Sequence, residues 1–158
     1  MLSDEQTKRV GSKLFLVQIA AAAMMFSIVI LVPVMCMIAQ WETLTGTAKL
    51  LTMIASLAAI CMYLMSAFVP KIFSTQPPAG LSDDAAVDSV LGMLSTETLI
   101  RFALIEGAAF MNLLVFMVEP HMASLIAAGI GFLMMLIFFP RKSKMISAIE
   151  ASLPRQSD

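Results

Sequence analysis

Four long apolar stretches constrain the fold of this chain more than any other feature of its sequence. They cover about residues 15–39, 50–69, 99–118 and 122–140. Each is close to the 20 residues that a helix needs to cross the hydrocarbon of a bilayer. Only helices and closed barrels satisfy their backbone hydrogen bonds in lipid, and barrel strands would alternate in polarity. The sequence therefore predicts an all-α, polytopic membrane protein with four transmembrane helices.

The composition agrees with this class and argues against several functions. Hydrophobic residues make up 59% of the 158 residues and charged residues 13%, whereas soluble domains are about 25% charged. The net charge of -1 gives no support to nucleic-acid binding. The sequence contains no nucleophile–base pair, zinc-ligand spacing or glycine-rich phosphate loop. We therefore expect no catalytic residue and no cofactor, and a protein that is not an enzyme.

The positive charges predict the orientation of the helices. Nine of the ten Lys and Arg residues lie on the side of the predicted bundle that carries both termini, and only Lys49 lies in a connection on the other side. Cytoplasmic segments of membrane proteins carry an excess of Lys and Arg. The sequence thus predicts a multi-pass protein with both termini in the cytoplasm.

A short internal similarity predicts how the helices are arranged. Residues 68–71 (Phe-Val-Pro-Lys) resemble residues 138–141 (Phe-Phe-Pro-Arg), and a shift of 84 residues aligns Phe26 with Phe110. The same shift places Ala22 opposite Glu106. This internal repeat predicts a single membrane domain, 1–158, built as two parallel helical hairpins rather than as an inverted repeat.

Residues 73–98 are predicted to form a cytoplasmic linker that contains a short amphipathic helix. Its apolar positions follow the i, i+3, i+4, i+7 pattern: Val87, Val90, Leu91 and Leu94. Its polar face is acidic, whereas helices that bind anionic membranes are usually rich in Lys and Arg. The helix can dock on the basic ends of this protein or on a partner, or it can be a linking helix with a solvated polar face.

Glu106 is the only acidic residue within an apolar stretch, about eight residues or 12 Å from the start of its helix. An ionisable residue at this depth is a candidate for ion or proton handling, or for a polar contact between helices. Tyr63 and Asn112 are the other candidate ligands of such an ion site. In the second interpretation the carboxyl is neutral, because burial disfavours its charged form. The sequence leaves both interpretations open.

Small residues beside Glu106 predict a site of helix packing. Ala103 and Gly107 form a small-xxx-small pair on the same face of the third helix. Such pairs let two membrane helices approach closely. We therefore expect another helix to pack closely against this face.

The fifteen methionines raise the question of a copper site. Met35, Cys36 and Met37 lie close to the predicted outer surface, and thioether and thiolate ligands suit Cu(I). The methionines are, however, spread over all four stretches, and the only histidine, His121, lies in a connection. Flexible apolar packing explains them better, so no metal site is predicted.

Two hairpins with one membrane carboxylate, in the string ALIEGAAF (residues 103–110), resemble the duplicated proteolipid (c-type) subunit of rotary ATPases. That resemblance implies that Glu106 binds a transported proton or sodium ion in a ring of subunits. That family, however, has its carboxylate on the second helix of a hairpin and a glycine-repeat helix, which this chain lacks. The same string and residues 138–140 (Phe-Phe-Pro) also resemble uncharacterised bacterial four-helix membrane proteins. This likeness implies a bacterial inner-membrane location and no particular mechanism.

The function expected from these observations is a non-enzymatic structural or assembly subunit of a membrane complex or homo-oligomer. The alternative is a proteolipid-like subunit that translocates an ion or proton through Glu106. In both cases the lipid bilayer is the surrounding medium, and no nucleic-acid partner is expected.

Overall fold

A computed structural model of the protein describes residues 4–38, 49–73 and 83–152. These ranges are entirely helical apart from short connections and contain no strand. The five helices are α1 (Asp4–Ile38), α2 (Leu50–Phe73), α3 (Asp83–Val118), α4 (Met122–Phe138) and α5 (Lys142–Ser152).

Three of these helices, α1, α2 and α3, are long and apolar enough to cross a membrane. A fourth span is possible if α4 and α5 count as one segment, because they meet at an angle of 63° across a short break. The all-α class and the presence of membrane-spanning helices are thus confirmed. By length and composition, the structure indicates a membrane protein with three to four spans.

Two helices extend well beyond the apolar stretches that predicted them. α1 starts at Asp4 and α3 at Asp83, so residues 83–98 are the first part of α3 and not a separate linking helix. No proline interrupts this part, and Gly92 alone weakens a helix by only about 1 kcal/mol. The remainder of the expected linker, residues 74–82, lies outside the described residues. α3 is therefore one helix of 36 residues, about 54 Å long.

The start of α3 packs with α1 and α5 in a second apolar core, which we call the terminal cluster. Its buried members are Val10, Leu14, Val87, Val90, Leu91, Met145 and Ile149. Polar contacts border it: Lys13 forms an ion pair with Asp88 at 2.7 Å, and Gln6 donates to Asp84 at 2.8 Å. The amphipathic face recognised in the sequence therefore docks on this chain's own basic N-terminal helix.

α3 is the central helix of the molecule. It packs against α1, α2 and α4, whereas no Cα atoms of α1 and α2 come within 8 Å of each other along their described residues. α4 also contacts both outer helices. The predicted arrangement of two hairpins is not confirmed, because the first two helices both find their main partner in α3.

The buried and exposed residues of the spans are distributed as expected for a protein in lipid. The buried positions include small and polar residues: Ala21, Thr52, Ala55, Ala59, Ser66, Ala108, Ala109, Asn112, Ser124 and Ala128. The exposed positions of α1 and α2 are mostly Leu, Ile, Met and Phe. Membrane helices associate through close packing and hydrogen bonds, since lipid tails are as apolar as leucine. Small and polar residues are therefore found inside, beside large apolar ones such as Phe102 and Phe116, and large apolar residues face outward.

Candidate functional site

Glu106 lies at the contact between α3 and α1. Its side chain is partly buried, and its Oε1 atom is 2.7 Å from the hydroxyl of Ser27. The same Ser27 hydroxyl is 2.7 Å from the backbone carbonyl of Met24, one turn earlier in α1. The membrane carboxyl therefore has a specific polar partner on a neighbouring helix.

The two contacts of Ser27 constrain where the hydrogen atoms lie. A hydroxyl carries a single hydrogen and donates it to one acceptor at a time. Ser27 therefore alternates as a donor between Oε1 of Glu106 on α3 and the carbonyl of Met24 on its own helix. This hydroxyl links α1 to α3.

Tyr63 makes a different contact, between α2 and α4. Its hydroxyl donates to the carbonyl of Ala127 at 2.8 Å. It passes so close to Gly131 that a Cβ atom at that position would lie 2.6 Å from the tyrosine oxygen and 3.0 Å from the Cβ of Ala109. Gly131 was not recognised in the sequence, where a glycine in an apolar helix gives no sign of which neighbour it faces.

Asn112 is fully buried in the centre of the bundle. Its amide nitrogen donates to the carbonyl of Ala108 at 2.9 Å and approaches that of Ala55, on α2, at 3.4 Å. Its Oδ1 atom has no hydrogen-bond partner among the described residues. Asn112 therefore serves mainly the packing of α3 against α2.

The three residues that the sequence proposed as ion ligands have separate partners. Glu106 contacts α1, Tyr63 contacts α4, and Asn112 contacts α2 and its own helix. The described residues also contain no group of three His, Cys, Asp or Glu side chains that could hold a metal ion. These three residues therefore join helices in the membrane through single hydrogen bonds.

The face of α3 beside Glu106 is open to the surroundings. Because the backbones of α1 and α2 stay apart on either side of α3, one face of α3 remains exposed between them, and we call it the outer groove. Its floor consists of Ala103, Gly107, Phe110 and Leu114. One wall is formed where Glu106 meets Ser27 and the other where Met62 lies against Gly107, 3.4 Å from an ideal Cβ position. Ala103 is exposed, whereas Gly107 is partly covered by Met62, so the predicted small-residue notch is only partly free of the chain's own helices.

Polar contacts also mark the two ends of the bundle, and the sequence analysis missed them. Glu119, after α3, accepts hydrogen bonds at 3.1 Å from both the backbone amide and the hydroxyl of Thr52 at the start of α2. At the other end, Arg101 pairs with Glu97 at 3.0 Å and lies 4.8 Å from the ring centre of Phe138. In the sequence these are only charged residues near the ends of apolar stretches. This pattern does not indicate which residue each of them contacts.

The fold and the site together define an all-helical membrane protein whose polar span residues connect helices. The chain matches no protein-family model, and neither the curated proteins nor the solved structures contain a significant match to it.

Proposed function

We propose that this protein is a non-enzymatic structural or assembly subunit of a membrane complex or homo-oligomer. The observation that carries the proposal is the outer groove, a face of the central helix that no part of the described chain covers. The polar side chains Glu106, Tyr63 and Asn112 support it, because each joins helices instead of forming a shared site.

The proposed location is the inner membrane of a bacterium, with both termini in the cytoplasm. The terminal cluster supports this orientation, because it brings the start of α1 and the end of the chain's helical part to one end of the molecule. Exposed cations from both segments lie there: Lys8, Arg9, Lys13, Arg141, Lys142 and Lys144. Lys and Arg are enriched on the cytoplasmic side.

The mass of the protein in its native membrane tests this proposal. We expect particles extracted with a membrane-solubilising polymer, without detergent, to contain several chains of 17.1 kDa or one chain with other subunits. Native mass spectrometry distinguishes these cases. Particles that contain a single 17.1 kDa chain and no other protein would contradict the proposal.

The Glu106→Gln variant tests the structural role of the carboxyl. Glutamine keeps a hydrogen-bond donor and acceptor at this position, so we expect assembly and folding to be nearly unchanged. Ser27→Ala is the matched variant on α1. Loss of the complex in Glu106→Gln would show that assembly requires more of Glu106 than this hydrogen bond.

A proton-translocating subunit is the second candidate, favoured by one observation. The half-buried Glu106 carboxyl lies at the edge of an exposed face of α3, where it could exchange a proton with its surroundings. In that case a hydrophobic carbodiimide labels Glu106 in a pH-dependent manner, and Glu106→Gln abolishes proton flux in reconstituted vesicles. An unlabelled Glu106 in wild-type membranes excludes this candidate.

A further inference from the structure

An apolar surface of α4 lies on the side of the molecule opposite the outer groove, and it projects from the bundle because α1 and α2 pack mainly on α3. α4 packs against α3 through its buried residues Ser124, Ala128, Gly131 and Met135. Its other side exposes large apolar side chains, which we call the α4 ridge: Met122, Ile126, Ile130, Leu133, Leu136 and Ile137. The groove faces away from α4 on the far side of α3, so the two surfaces point in opposite directions.

The groove and the ridge lie at the same depth. An ideal Cβ on Gly131 would be 3.0 Å from the Cβ of Ala109, which places these two residues at one level. The connection of Glu119–His121 between α3 and α4 is short, and the two helices run in opposite directions. Residues equally far along α3 and α4 from the Ala109–Gly131 contact therefore lie at equal depth. These pairs are Ala103 with Ile137, Gly107 with Leu133, Phe110 with Ile130, and Leu114 with Ile126.

The sizes of the side chains are complementary at two of these depths. Leu133 and Ile137 lie at the levels of Gly107 and Ala103, where the floor of the groove is formed by small residues. Phe110, the largest residue of the floor, lies within one residue of the level of Gly129. Gly129 has no neighbour within 4 Å of an ideal Cβ position, so it leaves an open space on the ridge side.

The extent and the charge of the surfaces also agree. The six ridge side chains together expose on the order of 600 Å², close to the roughly 800 Å² that each partner buries in an interface of standard size. The ridge carries no charge, and the groove carries only Glu106. Covering the groove with the ridge removes this polar residue from lipid, where ionisable groups are expensive, without opposing it to a like charge.

Two grooves cannot fill each other, because α1 and α2 form walls on both sides of each floor. We propose that the α4 ridge of one copy of this chain occupies the outer groove of the next copy. This contact joins two different surfaces and repeats head to tail, so it closes into a ring or continues as an array. The inference rests on the proposed assembly function and specifies its partner as a second copy.

Cysteine pairs divided between two copies test this contact. Cys36 and Cys61 are first replaced by alanine, and two differently tagged chains are expressed together in native membranes. One chain carries Ala103→Cys and the other Ile137→Cys; a second experiment combines Leu114→Cys with Ile126→Cys. The matched control combines Ala103→Cys with Ile126→Cys, which differ in depth by eleven residues, or about 16 Å.

We expect oxidation to link the two tagged chains in both depth-matched pairs and at least tenfold less in the control. An assembly of several copies without these crosslinks overturns the groove–ridge contact but leaves the proposed assembly function in place. A single chain surrounded by lipid overturns both. Crosslinks of equal yield in the control indicate random collision and also overturn the contact.

Discussion

At the scale of single residues, Gly131 has the closest neighbours of the glycines that the structure describes. Gly131 lets the Tyr63 hydroxyl reach the carbonyl of Ala127 across the α2–α4 contact. Hydrogen bonds between membrane helices contribute about 0.6 kcal/mol on average. The close approach therefore matters at least as much as the bond, because it lets three helices pack together.

Replacing Gly131 with alanine should destabilise the protein. The added methyl group would lie 2.6 Å from the Tyr63 oxygen and 3.0 Å from Ala109, so the buried ring must move. Overpacking of this kind lowers stability by about 1–3 kcal/mol. Thermal unfolding of the purified protein in detergent, followed by circular dichroism, measures the change.

Gly129→Ala is the matched control on the same helix, because an added Cβ there meets no atom within 4 Å. We expect its melting temperature to be unchanged or slightly raised, since alanine is the better helix former. An equal fall in melting temperature in both variants would mean that glycine is needed for the helix backbone and not for the approach of Tyr63.

At the scale of the helices, α2 depends on a residue far away in the chain for its N-terminal cap. The first amides of a helix lack partners within the helix. Glu119, 67 residues later, accepts from the amide and the hydroxyl of Thr52, and its charge suits the positive end of a helix. One carboxylate thus fixes the start of α2 to the end of α3.

Glu119→Ala should destabilise α2 and its contact with α3. Loss of a capping acceptor lowers stability by about 1 kcal/mol. Glu119→Gln keeps one acceptor oxygen and should lose less. Hydrogen exchange at the amides of residues 50–54, measured by mass spectrometry, should accelerate in Glu119→Ala and change less in Glu119→Gln. Equal exchange in all three proteins would mean that water caps α2 equally well.

Hydropathy predicted the spans because a length of about 20 apolar residues has few other uses. It did not predict that α3 begins at Asp83, since the amphipathic residues of its first part signal a helix but not its continuity with the next. The sequence also did not predict which helices pack against each other. Apolar faces in lipid have no strong preference for one neighbour, so a repeat in sequence did not bring α1 and α2 together.

The same reasoning explains which site residues were recognised. A carboxylate such as Glu106 is conspicuous in an apolar helix. Its partner Ser27 is not, because serine is common in membrane helices and usually bonds its own backbone, as it does here with Met24. Gly131 and Glu119 act through residues distant in sequence, which only the folded helices bring near.

At the scale of the whole molecule, α1 and α2 lie on either side of the outer groove. This differs from a hairpin, in which they would touch along their length. Ser27 lies at one wall and Met62 at the other, at similar depth, because their contacts Glu106 and Gly107 are adjacent residues of α3.

Crosslinking within one chain distinguishes the two arrangements. In a chain without Cys36 and Cys61, the pair Ser27→Cys and Glu106→Cys should be joined by a short bifunctional thiol reagent, since the native side chains are in contact. The pair Ser27→Cys and Met62→Cys should not, because the groove separates α1 from α2. Efficient crosslinking of Ser27→Cys to Met62→Cys would instead support the hairpin arrangement of α1 and α2. Peptide mapping by mass spectrometry reads out both pairs.

The separation of α1 from α2 has a consequence for biosynthesis. When the ribosome has delivered the first two helices to the membrane, neither has its main partner, and α2 has no Glu119 to cap it. Both must remain as independent spans until α3 is inserted beside them. Assembly of the bundle therefore waits for the third helix, and a chain released before it emerges would leave the inner faces of α1 and α2 open to quality-control proteases.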